Sequence, residues 1–242
     1  MSETSHAKTA NAPGPVTMAI LGCGKLGSAI LFRLLKSVDK LARTSDATED
    51  DQIDLGILPT RFLACVNSAE SVEALVDRLS EYNAGLKQTG TANTKDAIGG
   101  SRPRRSKVEI WRGCNTEAAM QAKVILIACQ SGQVPEILAE DGMVDALEGK
   151  LILNICAGSS EKLFREQMES VQRTNTKNTQ HSTPDGQQNS LQYHFVHAMP
   201  NPASMVGESA TVLSPRAEDF PVIYGSITNW VFRHIGPIFE VA

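Results

Sequence analysis

The chain has 242 residues, a formal charge of −4, 41% apolar and 21% charged residues. That is enough apolar material for a real core in one large domain or two small ones. The slightly acidic balance argues against a general binder of nucleic acid or anionic membranes, despite a local basic cluster at Arg102-Pro103-Arg104-Arg105.

Residues 1–15 are rich in Ser, Thr, Ala and Pro without an apolar centre, so they match neither a secretory nor a transit signal and are expected to form a disordered tail. Val16–Leu21 is a short apolar run between Pro15 and Gly22 and predicts a buried strand. From Leu26, the apolar residues Ile30, Leu31, Leu34 and Leu35 recur at helical spacing. Residues 37–60 are polar, carry an acidic run and have no period, so they read as a loop insertion. Arg61–Val66 predicts a second strand, with Val72, Leu75, Val76 and Leu79 marking a helix after it. Residues 83–106 read as a solvated linker. Val108–Trp111 resumes a strand and Thr116–Gln121 fits one short helix. Val124–Cys129 predicts the next buried strand, followed by a broken helix over Val134–Leu138 and Met143–Leu147. Leu151–Ile155 is another strand, and Ser160, Leu163 and Phe164 mark a helix start. Residues 170–192 form a further polar stretch, expected to be mobile. His194–Ala198 and Ala210–Leu213 predict two strands, Val222–Phe232 a helix and Ile238–Val241 a last short strand. No apolar run approaches the ~20 residues of a membrane span.

Strands alternating with helices predict an α/β fold with a doubly wound, mostly parallel sheet over residues 16–242. In such folds ligands sit at the carboxyl ends of the strands. Gly22-Cys23-Gly24-Lys25-Leu26-Gly27 follows the first strand and opens the first helix. This is the context in which GxGxxG marks a dinucleotide-binding Rossmann loop. The first glycine permits the turn, the second lets backbone approach a pyrophosphate, and the third allows close helix–strand packing. At the end of the second strand an acid would bind the ribose diol of NAD, and a basic residue would hold a 2′-phosphate. Asn67 and Ser68 stand there. As neutral donors they lean towards NADP, with NAD open, and they read equally well as caps of the next helix.

Cys129-Gln130-Ser131-Gly132 and Cys156-Ala157-Gly158 end the two central strands, where a nicotinamide ring would lie. Cys129 and Cys156 read as small pocket-lining thiols rather than nucleophiles, because no His or Asp stands near either in sequence. The five cysteines are odd in number and form no CxxC pair, so neither a metal site nor a disulfide framework is indicated. Free thiols point to a reducing compartment, the cytoplasm. Met199–Ser204 is a polar loop stiffened by two prolines, in which Asn201 offers both donor and acceptor. His194 and His197 are read as sharing one face of their strand and as structural rather than catalytic.

Ala19–Gly27, the Cys129 loop, Asn154–Gly158, the Met199-Pro200-Asn201 loop and Glu208–Val212 together resemble pyrroline-5-carboxylate reductase, particularly its fungal forms. The glycine loop is only moderately specific; the ordered set is more so. The resemblance implies hydride transfer from NADPH, or NADH, to a cyclic imine such as 1-pyrroline-5-carboxylate, in proline biosynthesis or a related specialised pathway. It places Gly22, Cys23, Gly24, Lys25, Leu26 and Gly27 at the pyrophosphate, Asn67 and Ser68 by the adenosine ribose, and Asn115 against the cofactor. It sets Ala128, Cys129, Gln130, Ser131 and Ala157 beside the nicotinamide, with Asn201 of the later loop completing the cofactor set. It assigns no catalytic residue. The chain departs from the family in three places: Gln130-Ser131 replaces Lys-Pro, His197 replaces an arginine, and Asn67 and Ser68 stand where fungal members carry basic residues. Members also continue into an all-helical domain that forms the dimer and binds the substrate carboxylate. The sequence ends at Ala242, where that domain would begin. A monomeric, non-catalytic NAD(P)-binding module is therefore the alternative expectation.

Overall fold

The computed structural model describes residues 15–41, 56–89, 106–178 and 192–241. Val16–Leu21 forms β1, and its alternating side chains are buried on both faces. Met18 and Ile20 join one core, Ala19 and Leu21 the other. An apolar run without polar alternation is what a strand covered on both sides requires. The same reasoning accounts for β4 (Val124–Ile127) and β5 (Leu151–Asn154), both fully buried. The remaining strands are β2 (Pro59–Val66), β3 (Lys107–Arg112), β6 (His194–Met199), β7 (Thr211–Leu213) and β8 (Ile238–Glu240).

The sheet order is β3-β2-β1-β4-β5-β6-β7-β8. Neighbours are parallel except β6 and β7, which run antiparallel. The expected doubly wound, mostly parallel sheet is thus present. Its order switches direction at β1, with β2 on one side and β4 on the other, which opens a crevice beyond their carboxyl ends.

The helices are α1 (Lys25–Leu41), α2 (Ala69–Thr89), α3 (Asn115–Gln121), α4 (Val134–Leu138), α5 (Met143–Ala146), α6 (Glu161–Asn178) and α7 (Val222–Arg233). Ile30, Leu31, Leu34 and Val38 of α1 cover one face together with Ile227, Trp230 and Val231 of α7. Ala118 of α3, Leu138 of α4, Met143 of α5 and Phe164 of α6 cover the other. Among the described residues, no helix is long and apolar enough to cross a membrane.

Three helices outrun the apolar spacing that marks them in sequence. α1 continues through Lys36 to Leu41, with Asp39 buried because Tyr82 Oη and Ser106 Oγ donate to its carboxylate at 2.7 and 3.2 Å. α2 continues to Thr89 and α6 to Asn178, into stretches expected to be linker and mobile chain. Along α6, Arg165–Glu161 and Arg173–Glu169 ion pairs at 2.9 Å, one turn apart, favour the helix on its exposed side. The predicted tail up to residue 14, the basic cluster at 102–105 and the centres of the polar insertions lie outside the described residues. His194 and His197 are three positions apart, so they face opposite sides of β6, correcting the shared-face expectation. The His194 ring rests against Phe220 and Tyr224, with centroids 5.7 and 5.0 Å away.

The edge strand β3 is tied to β2 by Arg61, whose Nε and Nη2 donate to the Glu109 carboxylate at 2.8 and 3.2 Å. The Arg61 hydrogen bonds, then that of Lys107, hold the Glu109 carboxyl down at about 2, against an ordinary 4.5. A carboxyl with a depressed folded-state pKa stabilises the fold above its unfolded value and loses that contribution as pH falls through the folded one. Wild-type melting temperature should therefore fall between about pH 4.5 and pH 2, and less so in Glu109→Gln. The difference at this partly exposed pair should be ~1 kcal/mol or less. Equal acid sensitivity of the two proteins in thermal melts would show that the pair contributes nothing.

Candidate functional site

Three residues turn the chain from β1 into α1. Gly22 has φ +78°, and a Cβ there would lie 2.6 Å from Cys129 Cα. A Cβ on Gly27 would meet Gly22 O at 3.1 Å and Ala128 Cβ and Ile20 Cγ2 at 3.2 Å. Gly24 differs: a Cβ would find one atom, Gly22 O, at 4.0 Å. Protein therefore closes on the first and third glycines and leaves the second open to solvent. Cys23 N donates to Cys65 O at 2.7 Å, pinning the turn to the end of β2. Ser28 N makes the first helical bond, to Gly24 O at 2.9 Å. The N–H groups of Lys25, Leu26 and Gly27 precede it, at the helix end where partial positive charge collects. The Cys23 thiol faces inward, and burial pushes it up to about 12, so it adds backbone rather than a thiolate to this loop.

At the end of β2, Ser68 Oγ accepts from Ser71 N at 3.1 Å and bonds Ser71 Oγ at 2.9 Å, capping α2. Asn67 is exposed, and its carbonyl accepts from Arg112 Nε at 3.3 Å. Arg112 is the last residue of β3 and stands opposite Val66 in register. It brings a guanidinium to the Asn67–Ser68 turn, a contribution not expected from the sequence. The usable signal was the alignment of the two strand ends. Asn115, 3% exposed, opens α3 and donates from Nδ2 to Glu140 Oε1 at 2.6 Å, while Thr116 Oγ1 donates to Oε2 at 3.2 Å. Glu140 is a second side chain that sequence did not single out.

β4 stops at Ile127, two residues short of expectation, although Ala128 N still donates to Leu21 O at 2.8 Å. Gln130 and Ser131 are exposed, and a reciprocal cap between Gln130 and Gln133 fixes their turn. After β5, buried Asn154 shapes the next turn: its Nδ2 donates to Ser159 O at 2.9 Å and its Oδ1 accepts from Cys156 N at 3.0 Å. Ala157 is exposed at the tip. The His197 ring bonds Cys156 O through Nε2 at 3.2 Å, tying β6 to the same turn. Cys129 and Cys156 face each other with sulfurs 3.9 Å apart. The Cys156 thiol donates to Cys129 O at 3.1 Å. The contact between the two sulfurs, then burial, pushes Cys156 up, and the same contact draws Cys129 down; the bond to the Cys129 carbonyl works the other way on Cys156.

Asn201 caps the short turn Pro202–Met205: its Oδ1 accepts from Ala203 N at 3.0 Å, and its N–H donates to Ser209 Oγ at 3.1 Å. Gly207, φ +85°, lies under Arg33 of α1, so this loop is held against the outer part of that helix. The structure thus brings Gly22, Gly27, Ala128 and Cys129 into mutual contact, with Cys156 behind Cys129. Among the described residues no hydrogen bond joins Asn115 or Asn201 to the glycine loop.

A family model described as NADP oxidoreductase, coenzyme F420-dependent, matches residues 17–158, from β1 through the turn after β5. Pyrroline-5-carboxylate reductase of Lophium arboricola is 31% identical over 236 residues, covering 97% of this chain and 63% of that protein. Pyrroline-5-carboxylate reductase of Neurospora crassa is 29% identical over 234 residues, covering 92% and 60%. The chain spans about 60% of the length of these curated relatives. Among solved structures, a pyrroline-5-carboxylate reductase from Coxiella burnetii superposes with a TM-score of 0.55 at 15% identity, over 95% of this chain and 60% of that one. Plasmodium falciparum pyrroline carboxylate reductase with NADP bound gives 0.50 at 14% identity, over 94% and 58%. At those identities the likeness shows the fold. The family match takes in the glycine loop and both cysteine turns, and on that match the chain belongs to the family of NADP oxidoreductase, coenzyme F420-dependent domains, with fungal pyrroline-5-carboxylate reductases among its relatives.

Proposed function

We propose that the chain serves an NAD(P)H-dependent imine reductase of the pyrroline-5-carboxylate reductase type, acting in the cytoplasm on a cyclic imine such as 1-pyrroline-5-carboxylate. The observation that carries this reading is the contrast within the glycine loop. Gly22 and Gly27 are closed by Cys129 and Ala128, and Gly24 is open. Bare backbone at the N-terminus of a 17-residue helix suits a pyrophosphate. Gly22 to Gly27 would hold that group, Asn67 and Ser68 the adenosine ribose, and Ala128 to Ser131 with Ala157 the nicotinamide side. Asn115 and Asn201 would contribute through the loops they stiffen. A bound reduced nicotinamide supplies the hydride. What falls to the chain is to position cofactor and imine and to exclude water.

NADP is the favoured cofactor. Arg112 supports it, because an arginine near the end of the second strand accommodates a 2′-phosphate. NAD stays as the second choice because Glu70, in the first turn of α2, offers a carboxylate to a ribose diol. One observation favours the alternative of cofactor binding without turnover. His197, which stands where an arginine is expected, is already committed to the Cys156 carbonyl.

Calorimetric titration of the purified chain with NADPH and NADH, followed by cofactor oxidation on adding 1-pyrroline-5-carboxylate, tests the reading. Binding with turnover supports the reductase, binding alone supports the alternative, and binding of neither cofactor defeats both. Gly24→Val should weaken cofactor binding about tenfold, ~1.4 kcal/mol, with little change in melting. Gly22→Ala should lower stability by more than ~1 kcal/mol, because it combines a positive φ with a clash. If Gly24→Val binds like wild type, the open side of the loop is not the phosphate cradle. Arg112→Ala should weaken NADPH roughly tenfold or more, the scale of a lost charge-assisted hydrogen bond, and leave NADH unchanged. Equal losses for both cofactors would remove Arg112 as the 2′-phosphate determinant.

A further inference from the structure

We propose that Cys129 and Cys156 form an oxidation site for hydroperoxides, closing to a disulfide across the carboxyl ends of β4 and β5. In the β4–β5 register Ile127 faces Asn154. Pairing persists past that point, since Ile155 N donates to Ile127 O at 3.0 Å. Two residues further on, Cys129 and Cys156 stand opposite each other. Neighbouring strands lie ~4.8 Å apart, within the ~4.4–6.8 Å between Cα atoms that a disulfide bridges. The sulfurs are already 3.9 Å apart and both sit in turns rather than in the ladder, so closure needs a movement of less than ~2 Å.

The two thiols differ in the way such a site requires. Cys129 is half-buried at the crevice and meets solvent, whereas Cys156 lies behind it at 3% exposure. Turned from the Cys129 carbonyl, 3.1 Å away, to the Cys129 sulfur at 3.9 Å, the single Cys156 S–H favours a thiolate on Cys129 and keeps the proton on Cys156. Cys23 and Cys65 are buried, and desolvation pushes each thiol up to about 12, which leaves them protonated and shielded. Cys114 donates to Arg112 O at 3.3 Å, on the far side of β2.

The chemistry balances with a hydroperoxide as oxidant. The Cys129 thiolate attacks a peroxide oxygen, the O–O bond breaks, and hydroxide or alkoxide leaves and takes a proton. Cys129 becomes a sulfenic acid. The Cys156 sulfur then attacks the Cys129 sulfur and loses its proton, the S–O bond breaks, and water leaves. Two thiols are oxidised to one disulfide and one peroxide is reduced. The bridge has a consequence for the glycine loop. Gly22 rests on Cys129 so closely that a Cβ would come within 2.6 Å of Cys129 Cα and Cβ. Drawing Cys129 towards Cys156 shifts the floor under that loop and lowers cofactor affinity. This consequence rests on the cofactor-binding reading; the disulfide itself does not.

The protein is treated with hydrogen peroxide, denatured and alkylated. Free thiols should fall from the five in the sequence to three, with the mass lower by two hydrogens. Peptide mapping should join Cys129 to Cys156, and dithiothreitol should restore all five thiols. Cys156→Ala should stop at a Cys129 sulfenic acid that dimedone traps. Because that variant has a buried side chain removed, phenylarsine oxide on untreated wild type gives an independent reading: it bridges paired thiols and should bind once per chain, blocking these two cysteines. Five surviving thiols, a bridge between other cysteines, or no arsenical uptake would overturn the site. Cofactor titration of the oxidised protein should show a loss of affinity that reductant reverses, and unchanged affinity would overturn the coupling to Gly22. A chain that binds neither cofactor even when reduced defeats the proposed function, while the thiol counts still decide the disulfide.

Discussion

The carboxyl edge of this sheet depends on one close approach, that of the β1–α1 turn to the end of β4. No side chain fits between Gly22 and Cys129, and the positive φ of Gly22 suits glycine alone at low strain. Because the turn lies this low, α1 starts directly over β1 and packs Ile30, Leu31 and Leu34 into the core shared with β4. Each such side chain contributes about 1.5–3 kcal/mol when fully buried. The contact that shapes the candidate site is therefore also a condition for packing the first helix. Gly27 repeats the arrangement one helical turn on, against Ala128 and Ile20. Gly24 is exempt from both demands, and its openness is consequently informative about ligands rather than about folding.

The strands were legible because a sheet covered on both faces selects continuous apolar runs, and every predicted strand lies within two residues of an observed one. The helix ends were less legible. The last turn of α1 buries Ser37 and Asp39 beside Val38, and the continuations of α2 and α6 are rich in polar residues, so none of the three carries an apolar period. What holds them, such as the Asp39 bonds to Tyr82 and Ser106, comes from residues far along the chain. The site shows the same division. The glycine loop could be read from residue type and spacing, because a single turn contains the whole motif. Ser68 was legible as a helix cap for the same reason. The partnership of Asn115 with Glu140 spans 25 positions, and that of Arg112 with Asn67 spans 45. Both follow from how loops meet in space, which local pattern does not encode. The facing of His194 and His197 follows from the two-residue period of a strand alone, since three positions set them on opposite sides.

The five cysteines illustrate how depth and partner, rather than residue type, determine chemistry. Cys23 and Cys65 are buried where the glycine loop meets the end of β2, and desolvation, which outweighs the pull of Arg78 on Cys23, keeps them as small apolar plugs. Cys129 stands two residues past the end of β4, directly under Gly22, yet it has a thiol facing its sulfur and a path to solvent. The difference arises from the Asn154-braced turn, which holds Cys156 N at 3.0 Å from the asparagine oxygen and so aims the Cys156 sulfur across at Cys129. A cofactor crevice that needs small side chains beside a flat ring admits cysteine on size alone. Once two occupy facing positions on adjacent parallel strands, proximity makes them a dithiol whether or not the ring is present. Size selection for a ligand and susceptibility to oxidants then have a common structural origin, at the floor of the same loop.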